Sequence, residues 1–555
     1  MDVSGNPLVS GFVKADGKRV VNGDGQEILL QGVGLGSWLL PEGYMWKMPE
    51  QGDRPRRIES MIQDLIGKEK AAAFWETYYE RYITEADIRQ IASEGFNSIR
   101  VPINARLIME EGQQPPFVYH EDHLKLIDRV IDWCRTHSLY VILDLHGAPG
   151  GQTGANIDDS ERDLPELFTD RLNAERTVAL WRMLAERYKD DWIVAGYDLL
   201  NEPLPDWFSE YYARVMPLYK EITSAIREVD KRHMIILEGV HWSTDWSIFN
   251  EIIDDNLMLQ FHKYWNNPDK ESIQKYLDIR DEWNVPIFMG EGGENNPQWY
   301  TGAFRLFEDH NISWNFWTWK KMSTTNSPFS IRMPEGWYKL AAYLEGGEKP
   351  SPAEAESILD EYLDRLPLEA CDAYPNVSRS LFRRLPIQIP AEFYGYRGEG
   401  VSYHVEEKAS EDIGFRISDG VPMRMITGKL EKPSYAPEGG KPWIEDNLVC
   451  VQLREGDWLV YNAHCASADA FHLDIRGRIP ENTVDIMLQI GDREPEALTL
   501  TDPGEGQWHV HRLGGGMLIE EGPVDVVIMV NQGRIELDWL EFTKNTLKGD
   551  KLKGR

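Results

Sequence analysis

The chain has 555 residues, too many for one hydrophobic core, so two or three domains of ordinary size are expected. With 59 Lys and Arg against 92 Asp and Glu its formal charge is −33, a field that repels nucleic-acid phosphates and anionic membrane surfaces. Hydrophobic residues at 42% and aromatics at 11% exclude a disordered chain, and no apolar run approaches the ~18 residues of a membrane span. Residues 12–21 and 26–30 flank Asn22-Gly23-Asp24-Gly25 and predict a hairpin that closes the floor of the first domain. Eight short apolar runs then succeed one another at 28–35, 98–103, 140–146, 193–201, 234–240, 257–264, 286–290 and 312–319. They are rich in Val, Ile and Leu without strict alternation, the pattern of strands covered on both faces. Helical patterns separate most of them: 84–94, opening on Thr84 with an acidic first turn; 121–137, with Leu124, Ile127, Val130, Ile131 and Cys134 on one stripe; 175–188; and 211–229. Eight strands with helical crossovers over about 320 residues predict a (β/α)8 TIM barrel rather than an open doubly wound sheet. Beyond residue 391 short strands and turns alternate, which predicts an all-β sandwich of jelly-roll type. The expected division is a barrel domain at 1–365, a connector at 366–388, a sandwich at 389–545 and a basic tail at 546–555 that is assigned no function.

Twenty Trp and 23 Tyr exceed what a core ordinarily needs. Flat aromatic faces suit the apolar C–H patches of sugar rings, and a large aromatic core fits the same count. The four cysteines, Cys134, Cys371, Cys450 and Cys465, form no C-x-x-C pair and no dense framework. That fits a reducing compartment and leaves room for one bridge such as Cys450–Cys465. The first residues, MDVSGNPLVSGF, show no basic-then-apolar leader, so a cytoplasmic protein is expected, the alternative being a secreted one whose leader has been removed.

In such a barrel, chemistry sits at the carboxyl ends of the strands. Reading those ends in order gives RVPI (100–103), DLHG (144–147), LNEP (200–203), FHKYW (261–265), GEGG (290–293) and SWNFWTWK (313–320). Charged and aromatic residues therefore fall at one pole of six strands. Glu202 and Glu291 end the fourth and seventh strands and face each other across the barrel mouth. Two facing carboxyls in an aromatic cleft are the equipment of glycoside hydrolysis, one donating a proton and the other attacking C1 or activating water. Glu202, between Asn201 and a turn-forming Pro203, is placed to have its pKa raised; Glu291, facing Arg100 and Tyr264, is placed to stay ionised. The bland alternative is a pair of rim salt bridges.

Taken in order, these motifs resemble glycoside hydrolase family 5, the cellulase family, over most of residues 25–345. The resemblance implies a retaining double displacement without a catalytic cofactor, Glu202 as acid/base and Glu291 as nucleophile. It implies that Asn201 binds the substrate 2-hydroxyl and that Arg100 and Tyr264 orient and charge-stabilise Glu291. It further implies that His146 and His262 line the subsite of the sugar under attack, with Trp317 as its floor. GVGLGSWLLPEGYM (32–45), DLHGAPGGQ (144–152) and FWTWK (316–320) are similar to the branch of fungal exo-β-1,3-glucanases and β-glucosidases, whereas TGANIDDSERDLPELF (153–168) departs from it. The sandwich resembles a family 6-like carbohydrate-binding module, which implies a structural Ca²⁺ with Glu392 and Asp538 among its ligands. Tyr403, Trp508 and Asn531 are its candidate sugar contacts, and the alternative is a sandwich that merely packs on the barrel.

Other features are read blandly. The glycine-rich segment 147–154 lacks the Gly-Lys-Ser/Thr of a phosphate loop, and no H-E-x-x-H or paired-Cys zinc spacing occurs. His137, His233 and His310 are expected at helix ends or on the surface. Asp158, Asp159 and Asp163 are expected in a solvated acidic loop. Glu238 ends the fifth strand and is expected to position neighbours, with His241 and Trp242 reaching a subsite. Long insertions at 41–81 and 147–172 predict walls around a pocket. The resulting expectation is a retaining β-glycosidase of β-glucosides or β-glucans, exo-acting, with a carbohydrate as its partner. The alternatives are an endo-acting glucanase or mannanase and a non-catalytic glycan-binding protein. Oligomeric state is not legible in the sequence.

Overall fold

The structure, a computed structural model, describes residues 6–112, 114–436, 439–504 and 506–545; the basic tail at 546–555 lies outside them. Eight parallel strands close into a barrel: β1 (Gln31–Gly34), β2 (Ser98–Asn104), β3 (Tyr140–Gly147), β4 (Val194–Asp198), β5 (Met234–Glu238), β6 (Leu257–His262), β7 (Ile287–Gly293) and β8 (Ser313–Trp317). Closure runs through β8 beside β1, with Trp314 opposite Gln31 and Phe316 opposite Val33. Residues of β2 through β8 are buried throughout, because one face fills the barrel and the other is covered.

Local chemistry sets the helix ends. In α3 (Glu85–Ser93), which follows α1 (Pro55–Ile66) and α2 (Lys68–Tyr82), Thr84 and Asp87 form a reciprocal capping box. Helix α4 (Glu121–His137) stops at Ser138 in the left-handed conformation. Helix α5 (Arg171–Tyr188) begins earlier than its pattern predicts, because the Asp170 side chain accepts from Leu172 N. Conversely α6 (Val215–Val229) starts at Val215, not 211, since Pro217 is tolerated only in a first turn; residues 206–214 form 3-10 turns instead. The N-terminal hairpin is also displaced. Lys14–Asp16 pairs with Arg19–Val21 around Gly17, while Asn22 accepts from Asp24 N and Gln26 N, so Asn22–Gly25 is an Asx-type loop that leaves one bridge, Val21 to Glu27.

The C-terminal region is antiparallel. Its strands are β9 (Ile387–Pro390), β10 (Tyr403–His404), β11 (Met423–Met425), β12 (Val449–Arg454), β13 (Trp458–Cys465), β14 (Asp469–Arg478), β15 (Thr483–Ile490), β16 (Glu496–Thr501), β17 (His509–Ile519), β18 (Gly522–Gln532) and β19 (Arg534–Lys544). One sheet runs β11-β12-β19-β14-β17 with β9 also on β19, and the other runs β10-β13-β18-β15-β16. Alternating burial along β15 and β18 marks one face turned to a core and one to solvent.

The chain divides into two compact units, residues 1–264, 275–294 and 311–374 in the first, and 265–274, 295–310 and 375–555 in the second. Segment 295–310 groups with the second because Thr301 O accepts from Arg383 Nε at 2.7 Å and Gly302 lies against the Phe393 ring, where any Cβ would collide. All four cysteines are free thiols; Cys465 Sγ lies 3.0 Å from Ser467 O. Among the described residues no helix is long and apolar enough to cross a membrane.

Candidate active site

The eight barrel residues that the sequence singles out are linked in one network. At its centre Arg100, fully buried on β2, spreads a planar fork across the barrel. Its Nε donates to Asp198 Oδ2 at 2.8 Å, Nη2 donates to Asn201 Oδ1 and Glu238 Oε1 at 3.0 Å each and lies 3.2 Å from Asp144 Oδ1, and Nη1 donates to Glu291 Oε1. Tyr264 OH donates to the other Glu291 oxygen at 2.7 Å. Burial alone would raise the Glu291 pKa, but His262, Arg100, His146 and the Tyr264 hydroxyl outweigh it and hold it below the usual carboxylate range.

Glu202 meets the opposite balance. Burial pushes its pKa up against the pull of the His262 cation, and the Glu291 and Glu238 charges push the same way. Its backbone is left-handed, with φ 44°, as is Leu204 at 51°. The Glu238 carboxylate, accepting from Glu202 N at 2.7 Å, holds that turn. Glu238 thus positions Glu202, Arg100 and Gln260, and the sequence expectation for it matches this placement. His262 Nδ1 lies 2.6 Å from Glu202 and 3.7 Å from Glu291, and one oxygen of each carboxylate falls within 4.8 Å of the other. This trio has metal-ligand chemistry, yet its donors are taken: His262 by Glu202, Glu291 by Arg100 and Tyr264. Glu202 keeps 8% of its surface exposed and Glu291 4%, so neither is fully sealed from solvent.

A flat floor lies beside them. The His146 and Trp317 rings stack 5.4 Å apart at 4°, His146 Nδ1 sits 2.7 Å from Asp144, and Trp317 Nε1 donates to Tyr44 OH at 2.8 Å. Asn201 Nδ2 faces His146 Nε2 at 3.3 Å. Burial opposes the charge on His146, but Asp144, Glu291 and Glu42 raise its pKa to about 9. Sequence reasoning missed Glu42, Tyr44, Asp198 and Gln260, and named Asp144 only as a letter of a motif. Glu42 is buried, and its Oε1, 3.8 Å from His146 Nε2, has no hydrogen-bond partner among the described residues. Its signal was available: a lone Glu inside the apolar LLPEGYM that follows the first strand.

Several expectations are corrected. Asp158 and Asp159 are buried, not solvated. Asp158 accepts from Thr153 N, Gly154 N and Ser160 N, and Asp159 binds Arg56, Asn104 and Arg106, with Arg106 Nε at 2.6 Å. Arg54 donates to Ser160 O at 3.1 Å, and Arg57 holds Asp163 at 2.8 Å. These bonds tie the two long insertions together. His233 is buried against Asp230 rather than at the surface; His310 and His137 do sit at helix ends. His241 and Trp242 have left-handed backbones, and Trp242 meets the exposed Trp207 edge-on at 5.7 Å. In the second unit Tyr403 is buried with its hydroxyl on Asp419, so it presents no face to a sugar, and Trp508 lies under Arg476; Asn531 is exposed. Glu392 is buried with Oε2 lacking a hydrogen-bond partner among the described residues, and its pKa is raised by burial and by Asp538, which itself pairs with Arg476.

A family model for cellulase, glycosyl hydrolase family 5, matches residues 63–323. A β-xylosidase of Phanerodontia chrysosporium is 34% identical over 345 residues, covering 56% of this chain and 71% of that protein. The chain belongs to glycoside hydrolase family 5. This family 5 chain is also 31% identical over 243 residues to a probable glucan 1,3-β-glucosidase A of Aspergillus fumigatus, covering 42% of itself and 56% of that protein, so it spans little more than half the length of that relative. Against Endoglucanase C of Acetivibrio thermocellus it is 27% identical over 312 residues, 45% of this chain and 87% of that one. As a family 5 member it is a glycoside hydrolase with a carbohydrate substrate, acting by retention without a catalytic cofactor.

Proposed function

We propose that the chain is an exo-acting β-glycosidase of β-glucosides or short β-glucans in which Glu291 is the nucleophile and Glu202 the acid/base. One observation carries this reading: two carboxylates with oxygens within 4.8 Å whose pKa values are displaced in opposite directions. Retaining enzymes hold their carboxyls about 5–5.5 Å apart and inverting ones about 6.5–9.5 Å, so the short spacing supports retention. Glu291 attacks C1 while Glu202 protonates the departing oxygen; a glycosyl ester forms and the C1–O bond breaks. Glu202 then takes a proton from water, which opens the ester and regenerates both groups. Asn201 is placed for the 2-hydroxyl, and the His146–Trp317 floor for the sugar's apolar face. The tied insertions favour a walled pocket and hence release from a chain end. Proton NMR of the first product and sizing of the sugars released from a linear β-glucan test this: β-anomeric monosaccharide is expected, mixed oligomers support the endo reading of the endoglucanase relative, and α-anomer overturns the mechanism.

The pH profile of kcat/KM on 4-nitrophenyl β-glucoside is expected to be bell-shaped. Below the Glu291 pKa, which lies under the carboxylate range, the nucleophile is protonated; above the Glu202 pKa, which lies over it, the acid is lost. With a dinitrophenyl substrate, Glu202→Gln is expected to remove the falling limb alone.

For residues 389–545 we propose a carbohydrate-binding-module-like sandwich with a Ca²⁺ bound at Glu392. The orphaned buried oxygen supports it, whereas Asp538 fits less well, being engaged by Arg476. Calcium at 100-fold over its Kd is expected to stabilise by about 2.7 kcal/mol, read as a rise in Tm that EDTA reverses and Glu392→Gln abolishes.

A further inference from the structure

A cavity of about 300 Å³ opens between α2, the start of α4 and residues 104–107 beyond β2. None of its lining residues belongs to the carboxylate network. One wall is aromatic: Trp75 and Tyr79, one turn apart on α2, lie 5.8 Å from each other at 29°, and His123 meets Tyr79 edge-on at 5.7 Å. His120 stands 6.0 Å from His123. The Trp75 indole N–H is shielded from solvent and has no hydrogen-bond partner among the described residues, so it is the rings and not this N–H that border the open space. The charges nearby largely cancel, since Arg106 grips Glu59 with two bonds of 2.8 and 2.9 Å. His123 Nδ1 is pinned to Leu107 O at 2.7 Å, leaving the other ring nitrogen for a ligand.

We propose that this cavity is a second, non-catalytic sugar site that takes one end of a β-glucan or a free disaccharide. An aromatic wall matches the C–H face of a pyranose, and two imidazoles and the exposed Glu76 match its hydroxyls. The net charge of −33 disfavours anions. Asn104 lies four residues beyond Arg100 on β2, roughly 13 Å of strand, so a glucan held here stays at the pole that carries the catalytic carboxylates.

Isothermal titration of the full chain with a thio-linked β-glucobiose, which resists hydrolysis, tests the site. Trp75→Ala and His120→Ala are each expected to bind one disaccharide fewer per chain than the unsubstituted protein, with turnover of 4-nitrophenyl β-glucoside kept within twofold. Trp75 also packs on Trp46, so the half-buried His120 carries the test if Trp75→Ala does not fold. Equal stoichiometry in all three proteins overturns the proposal, as does a parallel titration in which the two variants lose a site for choline and keep every site for the disaccharide.

Discussion

Glu291→Gln is expected to lower turnover of 4-nitrophenyl β-glucoside by at least ~10⁴-fold, about 5.5 kcal/mol of barrier. The amide keeps the shape of the carboxylate and can still accept from Tyr264, so the fold should persist; what disappears is the negative oxygen that must bond to C1. Glu202→Gln should behave differently, because its loss matters only in proportion to how much the leaving group needs a proton. On unactivated β-glucosides the drop should be of the same order. On a dinitrophenyl glycoside glycosylation should proceed, with hydrolysis of the ester slowed, and azide should restore turnover by yielding the β-glycosyl azide. The measurement is a pair of substrates, with and without azide, on both variants. Azide rescue in Glu291→Gln to a β-product, or ordinary activity in either variant, would reverse or sink the assignment.

Arg100→Met is expected to cost about 3–5 kcal/mol, because deleting one partner of a buried ion pair strands the other charges. Here one guanidinium serves Asp144, Asp198, Glu238 and Glu291 at once. Urea unfolding should show the loss. Arg100→Lys should recover little, since a single ammonium cannot reach Asp198, Asn201 and Glu291 together. Adding Asp198→Asn to Arg100→Met should return part of the stability by removing one stranded charge. A stability unchanged in Arg100→Met would mean that the carboxylates are neutral in the folded protein.

The barrel was legible because its strands spell themselves: Val, Ile and Leu runs bounded by helical stripes admit few other arrangements. The strand-end residues were legible for the same reason, as one pole of a barrel collects every side chain that comes after such a run. What stayed hidden depends on partners distant in the chain. Asp158 and Asp159 look like solvent-facing acids until the loop folds the Thr153, Gly154 and Ser160 N–H groups onto Asp158 and brings Arg56 and Arg106 to Asp159. Asp198 and Gln260 lie within apolar strands and acquire meaning only when the barrel closes, so that Arg100 and Gln260 both donate to Asp198. Tyr403 looked available in a strand-and-turn sequence, and its burial is decided by Tyr394 and Asp419, which reach it from segments outside the sheets. The hairpin was misplaced because Asn22-Gly23-Asp24-Gly25 carries the strongest turn letters, while the Asn22 side chain uses them to fold a loop back on itself.

The arginines of residues 54–57 and the acids of residues 158–163 hold two insertions to each other. A corollary concerns how such a protein can change. Neither loop is a cassette: grafting one alone from a relative would leave buried Asp159 or buried Arg54 facing an unfamiliar surface. Variation at this rim should therefore be inherited in matched halves, and anyone recombining it would do well to move both together.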